Sequence, residues 1–225
     1  MAKEEIKNRK IFLWAAIAGL LIAFFSIFGS IPNYLLKNMP NALSAYSIVL
    51  VIVVDLISCF FLFGFYYLGK KYNNKFLKGV MFLFIIFILI SLLVQLFYVI
   101  PEMNSFSSDL ALKVNNTLSN LEVNSNADLS QVQSQVVFES LKQTASQYVF
   151  LFSLIALYFI FFIVLLILWG VGLLKLKEKV ALAKTTGILK IIAGSTIILF
   201  GIGALLNLVA FVFELIILFK EAGRK

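Results

Sequence analysis

The stretch YVFLFSLIALYFIFFIVLLILWGVGLL, residues 148–174, has no charged side chain in 27 positions. A helix needs about 20 apolar residues to cross a hydrocarbon core of ~30 Å, and this run exceeds that number. It lacks the alternation of polar and apolar residues that is typical of a strand in an outer-membrane barrel. The run therefore predicts a membrane-spanning helix.

Four further runs have the same character: residues 11–31, 45–68, 79–100 and 191–219. The chain of 225 residues is 62% apolar and 13% charged, whereas a soluble domain is about 45–50% apolar and about 25% charged. These values exclude an ordinary soluble enzyme and a disordered chain. We therefore predict an all-α membrane protein, a polytopic bundle of five transmembrane helices.

The last run leaves six spans open as an alternative. As one helix its 29 residues would measure about 43 Å, more than the membrane core requires, although tilting accommodates some excess. A tight turn near residues 201–207 would instead give two short spans of roughly fifteen residues each. We adopt five spans, which place the basic tail (Lys220, Arg224, Lys225) outside. The positive-inside rule favours six for this tail.

Basic residues in the connections predict the orientation. Residues 1–10, 70–78 and 175–190 contain thirteen of the 19 basic residues, and these three segments fall on one side of the membrane. Basic connections stay in the cytoplasm, so we predict a multi-pass protein of the cell membrane with a cytoplasmic N-terminus. The lysines would contact anionic lipid headgroups rather than nucleic acid. The first run is too long for the core of a cleaved signal peptide, so we interpret it as a retained anchor.

The polar segment 101–147 divides the chain into three parts. Five acidic residues against two basic ones give it a net charge of −3. Apolar residues recur at helical spacing in both halves, namely Leu110, Val114, Leu118 and Leu121, and then Leu129, Val132, Val136, Val137 and Leu141. We predict an extracytoplasmic helical hairpin between spans three and four. Residues 1–100 then form the N-terminus and spans one to three, and residues 148–225 form spans four and five with the tail.

Asn115-Asn116-Thr117 within this hairpin is an N-glycosylation sequon. Its predicted position outside the membrane would make Asn115 accessible to a glycosyltransferase. Asn115 is therefore a candidate glycosylation site, on a triplet that also arises often by chance.

Polar side chains within the apolar runs are the candidate functional residues. Asp55 lies in the middle of the second run, and Asn207 and Glu214 lie in the last one. A carboxylate at the centre of a membrane helix costs roughly 2.5–3.5 kcal/mol on insertion scales. Three interpretations stay open for Asp55: it binds a proton or cation on a transport path, it is neutral and hydrogen-bonded, or it meets a basic group of another subunit. No Lys or Arg lies within the five runs, so neither acid has an evident partner.

Small residues predict close helix packing, within the bundle or with a partner. They are Ala15 and Gly19 in the first run and Gly194, Gly201 and Gly203 in the last one.

The chain lacks the residues of the common catalytic and metal sites. It contains 0 His and 1 Cys, so it has no imidazole ligand or base and no CxxC motif. Nucleotide-binding and hydrolase signatures are also absent. We therefore expect no enzyme activity, no cofactor and no metal.

Two cytoplasmic connections carry a family resemblance. YYLGKKYNNKF at residues 66–76 and TGILKIIAG at residues 186–194, together with the order of the spans, resemble archaeal multi-span membrane families of unknown function. The resemblance implies a multi-span fold and no activity.

These observations favour a non-catalytic membrane protein that acts by association. It would be a structural or accessory subunit of a larger membrane or cell-envelope complex, joined to other membrane subunits or to itself through its small-residue helix faces and the outer hairpin. The alternative is a small channel or transporter, coupled to an ion or proton, that uses Asp55.

Overall fold

The computed structural model describes residues 2–29, 31, 40–122, 129–196 and 202–224, and in these ranges the chain forms helices and no strand. The helices are α1 (Ala2–Phe28), α2 (Pro40–Lys71), α3 (Lys75–Val94), α4 (Ile100–Glu122), α5 (Leu129–Gln147), α6 (Val149–Leu174), α7 (Ala183–Thr196) and α8 (Ile202–Gly223), with a π-helical turn, Gln95–Val99, between α3 and α4. Five segments are long and apolar enough to cross a membrane: Arg9–Phe28, Ala45–Lys71, Lys75–Thr117, Val149–Leu174 and Ile202–Gly223. The predicted all-α bundle with five long apolar helices is thus confirmed.

The chain divides into two compact units, and the first comprises Met1–Leu92 and Ile160–Lys225. Within it α1 packs against α2 and α8, and α7 packs against α8. Its core is built from buried aliphatic and aromatic side chains, of which Trp169 is the largest. The Trp169 ring makes edge contacts with Phe61, Phe65 and Phe84, with centroids 6.2, 5.1 and 5.9 Å away. Such offset aromatic contacts hold helices in one register because their geometry is specific.

Glycines allow α6 and α7 to approach at backbone contact. A Cβ added to Gly170 would lie 2.6 Å from the carbonyl oxygen of Gly187, and one added to Gly187 would lie 2.7 Å from that of Gly170. Any larger residue at either position would push the two helices apart. This reciprocal contact is the small-residue packing that membrane helices use in place of a hydrophobic driving force.

The run 191–219 is not one helix, which corrects the single fifth span predicted above. α7 ends at Thr196 and α8 begins at Ile202, and the two helices pack against each other. Lys190 lies 3.3 Å from Glu214, although 24 residues of one straight helix would separate them by about 36 Å. The fifth apolar helix is therefore α8, and α7 is a shorter helix of 14 residues before it. The alternative of a turn near residues 201–207 is not supported, because residues 202–207 are helical. Residue 201 lies outside the described residues.

The end of α8 lies beside the start of α1 and the end of α2. Arg9 donates a hydrogen bond of 3.1 Å to the carbonyl of Ala222, and Lys71 pairs with Glu221 at 2.6 Å. A single fifth span would have separated this tail from the basic connections by the thickness of the membrane. In the structure the tail and the basic connections instead lie at the same end of the first unit. This is the arrangement that the positive-inside rule favoured for the basic tail.

The second unit, Leu93–Phe159, contains the helical hairpin predicted between spans three and four. α4 and α5 pack against each other. Lys113 donates to the side chain of Gln147 at 3.1 Å, and Tyr148 donates to Asp109 at 2.8 Å. From Asp109 to Lys113 the chain advances along α4, while the bonded partners go back from Tyr148 to Gln147. The two helices therefore run antiparallel.

A helix continues through Pro101, where the third run was expected to end. The chain widens into the π-helical turn just before the proline, and the Ile100 N–H bonds to the carbonyl of Gln95, five residues back. Proline lacks an N–H, and its ring displaces the carbonyl four residues earlier. A π turn relieves that conflict without ending the helix.

The packed face of α5 differs from the predicted one. Val136 is buried as expected, but the polar Ser140 and Thr144 are buried beside it, whereas the expected Val137 and Leu141 are exposed. Ser140 and Thr144 are small, and the Thr144 hydroxyl donates to the carbonyl of Ser140 at 2.8 Å. Their small size allows close packing on this face of α5, while Val137 and Leu141 remain outside the contact.

Candidate functional site

Lys190 is the centre of a buried polar cluster in the first unit. Its side chain is 4% exposed, and its Nζ lies 3.3 Å from Oε1 of Glu214, whose side chain is 0% exposed. Nζ also donates a hydrogen bond of 2.9 Å to Oδ1 of Asn207. It lies 4.1 Å from the centroid of the Trp169 ring, within range of a cation–π contact. One ammonium group thus has three different partners.

The helical hairpin brings these residues together. Asn207 and Glu214 are seven residues apart on α8, which is close to two turns and places them on the same face. Lys190 reaches that face from α7, and Trp169 reaches it from α6. The four side chains therefore come from three helices, and the cluster exists only when α7 folds back against α8.

Two groups of the cluster make no hydrogen bond to the described residues. They are the Trp169 indole N–H and the Glu214 carboxylate, whose 3.3 Å approach to Lys190 is an ion pair without hydrogen-bond geometry. A buried polar atom without a partner costs about 1–3 kcal/mol. The cluster can hold one positive and one negative charge side by side.

Asp55 is half-buried on α2, and its Oδ2 atom is buried with no hydrogen-bond partner among the described residues. Cys59 lies one turn further along the same helix. No contact in the described part of the chain joins Asp55 to the Lys190 cluster. Of the three candidate ion-binding residues, the structure brings Asn207 and Glu214 together and leaves Asp55 separate.

The expectation that Glu214 lacks a cationic partner was wrong. Only basic residues within the runs were considered, and Lys190 precedes the last run by one residue. A single straight helix would also place it far from Glu214. The useful signal was the pairing of one lysine before the run with one glutamate near its end. Such a pair is satisfied only if the run folds back on itself.

The small residues marked for packing lie inside the first unit. Ala15 is buried at 2% exposure and Gly203 is also buried. A Cβ on Gly19 would collide with Phe61 and Leu215, and one on Gly194 would lie 2.8 Å from Ile167. Gly201 lies outside the described residues.

Asn115 is exposed on α4. The hydroxyl of Thr117 in the same sequon donates to the carbonyl of Lys113 at 2.8 Å, one turn back along the helix. The acceptor triplet is therefore held in helical conformation.

A second polar network, which sequence reasoning missed, surrounds Glu221 near the end of α8. Its carboxylate accepts hydrogen bonds from Lys71 at 2.6 Å, from Tyr72 at 3.0 Å and from Arg224 at 3.1 Å. Burial, followed by the hydrogen bond to Glu221, raises the pKa of the Tyr72 phenol to about 12. The network ties the turn after α2 to the end of α8, and it joins Lys71 and Tyr72 to a carboxylate about 150 residues away in sequence.

No protein-family model matches the chain, and no curated protein or solved structure is significantly similar to it. The resemblance to archaeal multi-span families therefore stays a prediction. Among the described residues no group of three or more His, Cys, Asp or Glu side chains is placed to hold a metal ion. The five long apolar helices identify an integral, multi-pass membrane protein.

Proposed function

We propose that this membrane protein acts by association, as a structural or accessory subunit that contacts another membrane protein through the α4–α5 hairpin. The observation that carries the proposal is an apolar patch on α5, formed by Val137, Phe138 and Leu141. These side chains are 44%, 68% and 44% exposed. They lie on a helix that is otherwise rich in Ser and Gln. A contiguous exposed apolar patch on a polar surface is typical of a protein interaction site.

Exposed apolar residues elsewhere have a simpler explanation. On the membrane helices they face lipid, as Phe60 of α2 does at 66% exposure. Phe138 lies ten residues before Tyr148, so a helix places it about 15 Å beyond the start of the fourth span. At that distance from the span, hydrocarbon no longer covers the Phe138 side chain, whereas a protein partner would cover it.

The small-residue helix faces contribute less to this proposal than expected. Ala15, Gly19 and Gly194 are occupied by contacts within the first unit, so they are not free to meet a partner. The α4–α5 hairpin is then the part of the chain that would contact the partner. Its net charge of −3 favours a partner segment that combines apolar and basic side chains.

Site-specific photo-crosslinking in native membranes tests this proposal. A photoreactive phenylalanine analogue at position 138 should give one reproducible protein adduct, and the same analogue at position 60 should give lipid adducts only. The partner should also co-purify with the wild-type chain in mild detergent and be lost from the Val137→Ser/Leu141→Ser variant. Absence of a protein adduct at position 138, with purification as a monomer, would refute it. An adduct with a second copy of the chain would make the protein a homo-oligomer and refute the accessory role.

The second candidate function is transport coupled to an ion or proton. The observations that favour it are the buried Oδ2 of Asp55, which has no hydrogen-bond partner among the described residues, and the Lys190 cluster with its unsatisfied carboxylate. Ionisable residues within membrane spans often mark ion pathways. Reconstituted vesicles should then show a proton or cation flux that falls with Asp55→Asn. If the flux is the same for wild type and Asp55→Asn, Asp55 carries no transport step.

For either function we propose the orientation given by the basic connections, with the N-terminus in the cytoplasm. The hairpin would then be extracytoplasmic, and the C-terminal tail would lie in the cytoplasm beside the turn after α2.

A further inference from the structure

A basic cavity of about 460 Å³ lies within the first unit, between the turn that joins α2 to α3 and the turn that joins α6 to α7. Three lysines line it: Lys75, Lys175 and Lys179. None of the described residues that line it is acidic, and none of the three lysines forms an ion pair within the described part of the chain. The cavity therefore concentrates positive charge without a carboxylate to balance it.

The walls of the cavity are held in place before any ligand binds. Asn74 is 9% exposed and connects both turns. Its Oδ1 accepts the N–H of Leu77 at 3.0 Å at the start of α3, and its Nδ2 donates to the carbonyl of Gly172 at 2.9 Å near the end of α6. The Nζ of Lys175 lies 3.9 Å from the centroid of the Phe76 ring, which positions that ammonium at the cavity. A preformed site loses less conformational entropy on binding.

The Glu221 carboxylate, which bonds to a residue of the cavity wall, is already engaged. Tyr72, which also lines the cavity, donates its hydroxyl to Glu221, and Glu221 further pairs with Lys71 and Arg224. Its charge is therefore compensated from the other side. An incoming anion meets three ammonium groups that form no ion pair within the described residues, and no acidic residue lines the cavity.

We propose that this cavity binds a phosphate group, supplied by the headgroup of an anionic phospholipid. Lysine ammoniums are strong donors to phosphate oxygens and act as point charges that need no fixed planar geometry. The cavity lies at the end of the first unit where the basic connections gather, and the positive-inside rule places that end at the cytoplasmic headgroups. A soluble phosphate ester presents the same chemistry, so lipid and soluble sources must be distinguished by experiment. The inference rests on the membrane location of the chain and on neither proposed function.

The test uses the purified full chain in uncharged detergent and three probes: dioctanoyl phosphatidic acid, dioctanoyl phosphatidylcholine and glycerol 3-phosphate. We expect phosphatidic acid to bind at least tenfold more tightly than phosphatidylcholine. The variant Lys75→Gln/Lys175→Gln/Lys179→Gln should lose at least tenfold in affinity for phosphatidic acid. The matching Lys→Arg triple variant should retain it, because it keeps the charge. Unfolding curves of each variant check that the bundle is intact.

A matched control separates a built site from general attraction. Lys78→Gln/Lys177→Gln/Lys184→Gln removes the same charge from exposed lysines near the same turns that do not line the cavity. Its affinity for phosphatidic acid should change less than threefold. Equal losses in both triple variants, or equal binding of phosphatidylcholine, would overturn the proposal. Binding of glycerol 3-phosphate as tight as that of the lipid would keep the phosphate site and overturn its assignment to a lipid.

Discussion

The ion pair of Lys190 and Glu214 should stabilise the α7–α8 hairpin, and a double-mutant cycle with Lys190→Met and Glu214→Leu tests this. The two partners are not equivalent. Without Glu214, the ammonium of Lys190 still has the Asn207 carboxamide at 2.9 Å and the Trp169 ring at 4.1 Å. Without Lys190, the Glu214 carboxylate has no cation or donor among the described residues. We therefore expect Lys190→Met to be the more destabilising change.

The magnitudes follow from burial. Removing one partner of a buried pair costs about 3–5 kcal/mol, so Lys190→Met should cost about 4 kcal/mol. The two remaining contacts of Lys190 should limit the cost of Glu214→Leu to about 2 kcal/mol. Replacing both residues removes the charges together and leaves only Asn207 without its donor, so the double variant should lose about 2–3 kcal/mol. The coupling energy is then about 3–4 kcal/mol, at or slightly above the upper end of measured values.

The free energy of unfolding would be measured in mixed micelles by titration with a denaturing detergent, and Trp fluorescence would follow the transition. Lys184→Met is the matched control, since Lys184 is exposed on the same helix and should change stability by less than about 0.5 kcal/mol. A coupling energy below about 0.5 kcal/mol would refute the ion pair. Equal losses for the two single variants would refute the supporting role of Asn207 and Trp169.

Three further predictions concern packing, titration and topology. Gly170→Ala should destabilise the bundle by about 1–3 kcal/mol, because its Cβ would lie 2.6 Å from a backbone oxygen of α7. Gly79→Ala should be neutral or stabilising by up to about 1 kcal/mol, because nothing lies within 4 Å of that Cβ. Burial and a hydrogen bond to a carboxylate of α8 raise the pKa of Tyr72 to about 12, above the ~10 of an unfolded chain. The resulting stability is complete below pH ~10 and is lost as the pH rises through 12, so Tyr72→Phe should flatten this dependence. Cysteines placed at Lys70 and Lys220 in a cysteine-free background should react with an impermeant maleimide from the same side of the membrane.

Each of these predictions has a clear failure. Equal unfolding energies for the two alanine variants would show that α6 and α7 do not touch through their backbones. A wild-type stability curve that matches Tyr72→Phe between pH 10 and 12 would exclude the raised pKa of Tyr72. Labelling of the two cysteines from opposite sides would restore a single fifth span in which α7 and α8 are continuous.

The sequence was sufficient wherever composition alone decides the structure. A run such as 148–174 forms a helix in a membrane because every backbone polar group must be satisfied within its own segment. The hairpin of residues 101–147 was also predictable, because helical spacing of apolar residues persists in both halves. The packed face of α5 in this hairpin was not predictable. Ser140 and Thr144 are buried there because they are small, and a search for apolar residues does not detect them.

The basic residues indicated the position of the C-terminal tail more reliably than the length of the last run did. Length could not distinguish one tilted helix from a folded pair, because both bury the same apolar residues. Glu214 and Lys190 carried the missing information, since a buried carboxylate requires a partner and a straight helix offers none.

The sequence by itself determined that this chain lies in a membrane as a set of apolar helices with a polar hairpin, because the cost of unsatisfied backbone groups in hydrocarbon allows nothing else. Only the tertiary structure decided which polar residues meet. The contacts of Lys190 with Glu214 and Asn207, and of Tyr72 with Glu221, join positions from 17 to 149 residues apart. Such contacts depend on how helices fold back and pack in three dimensions, and no local pattern of residues encodes that arrangement.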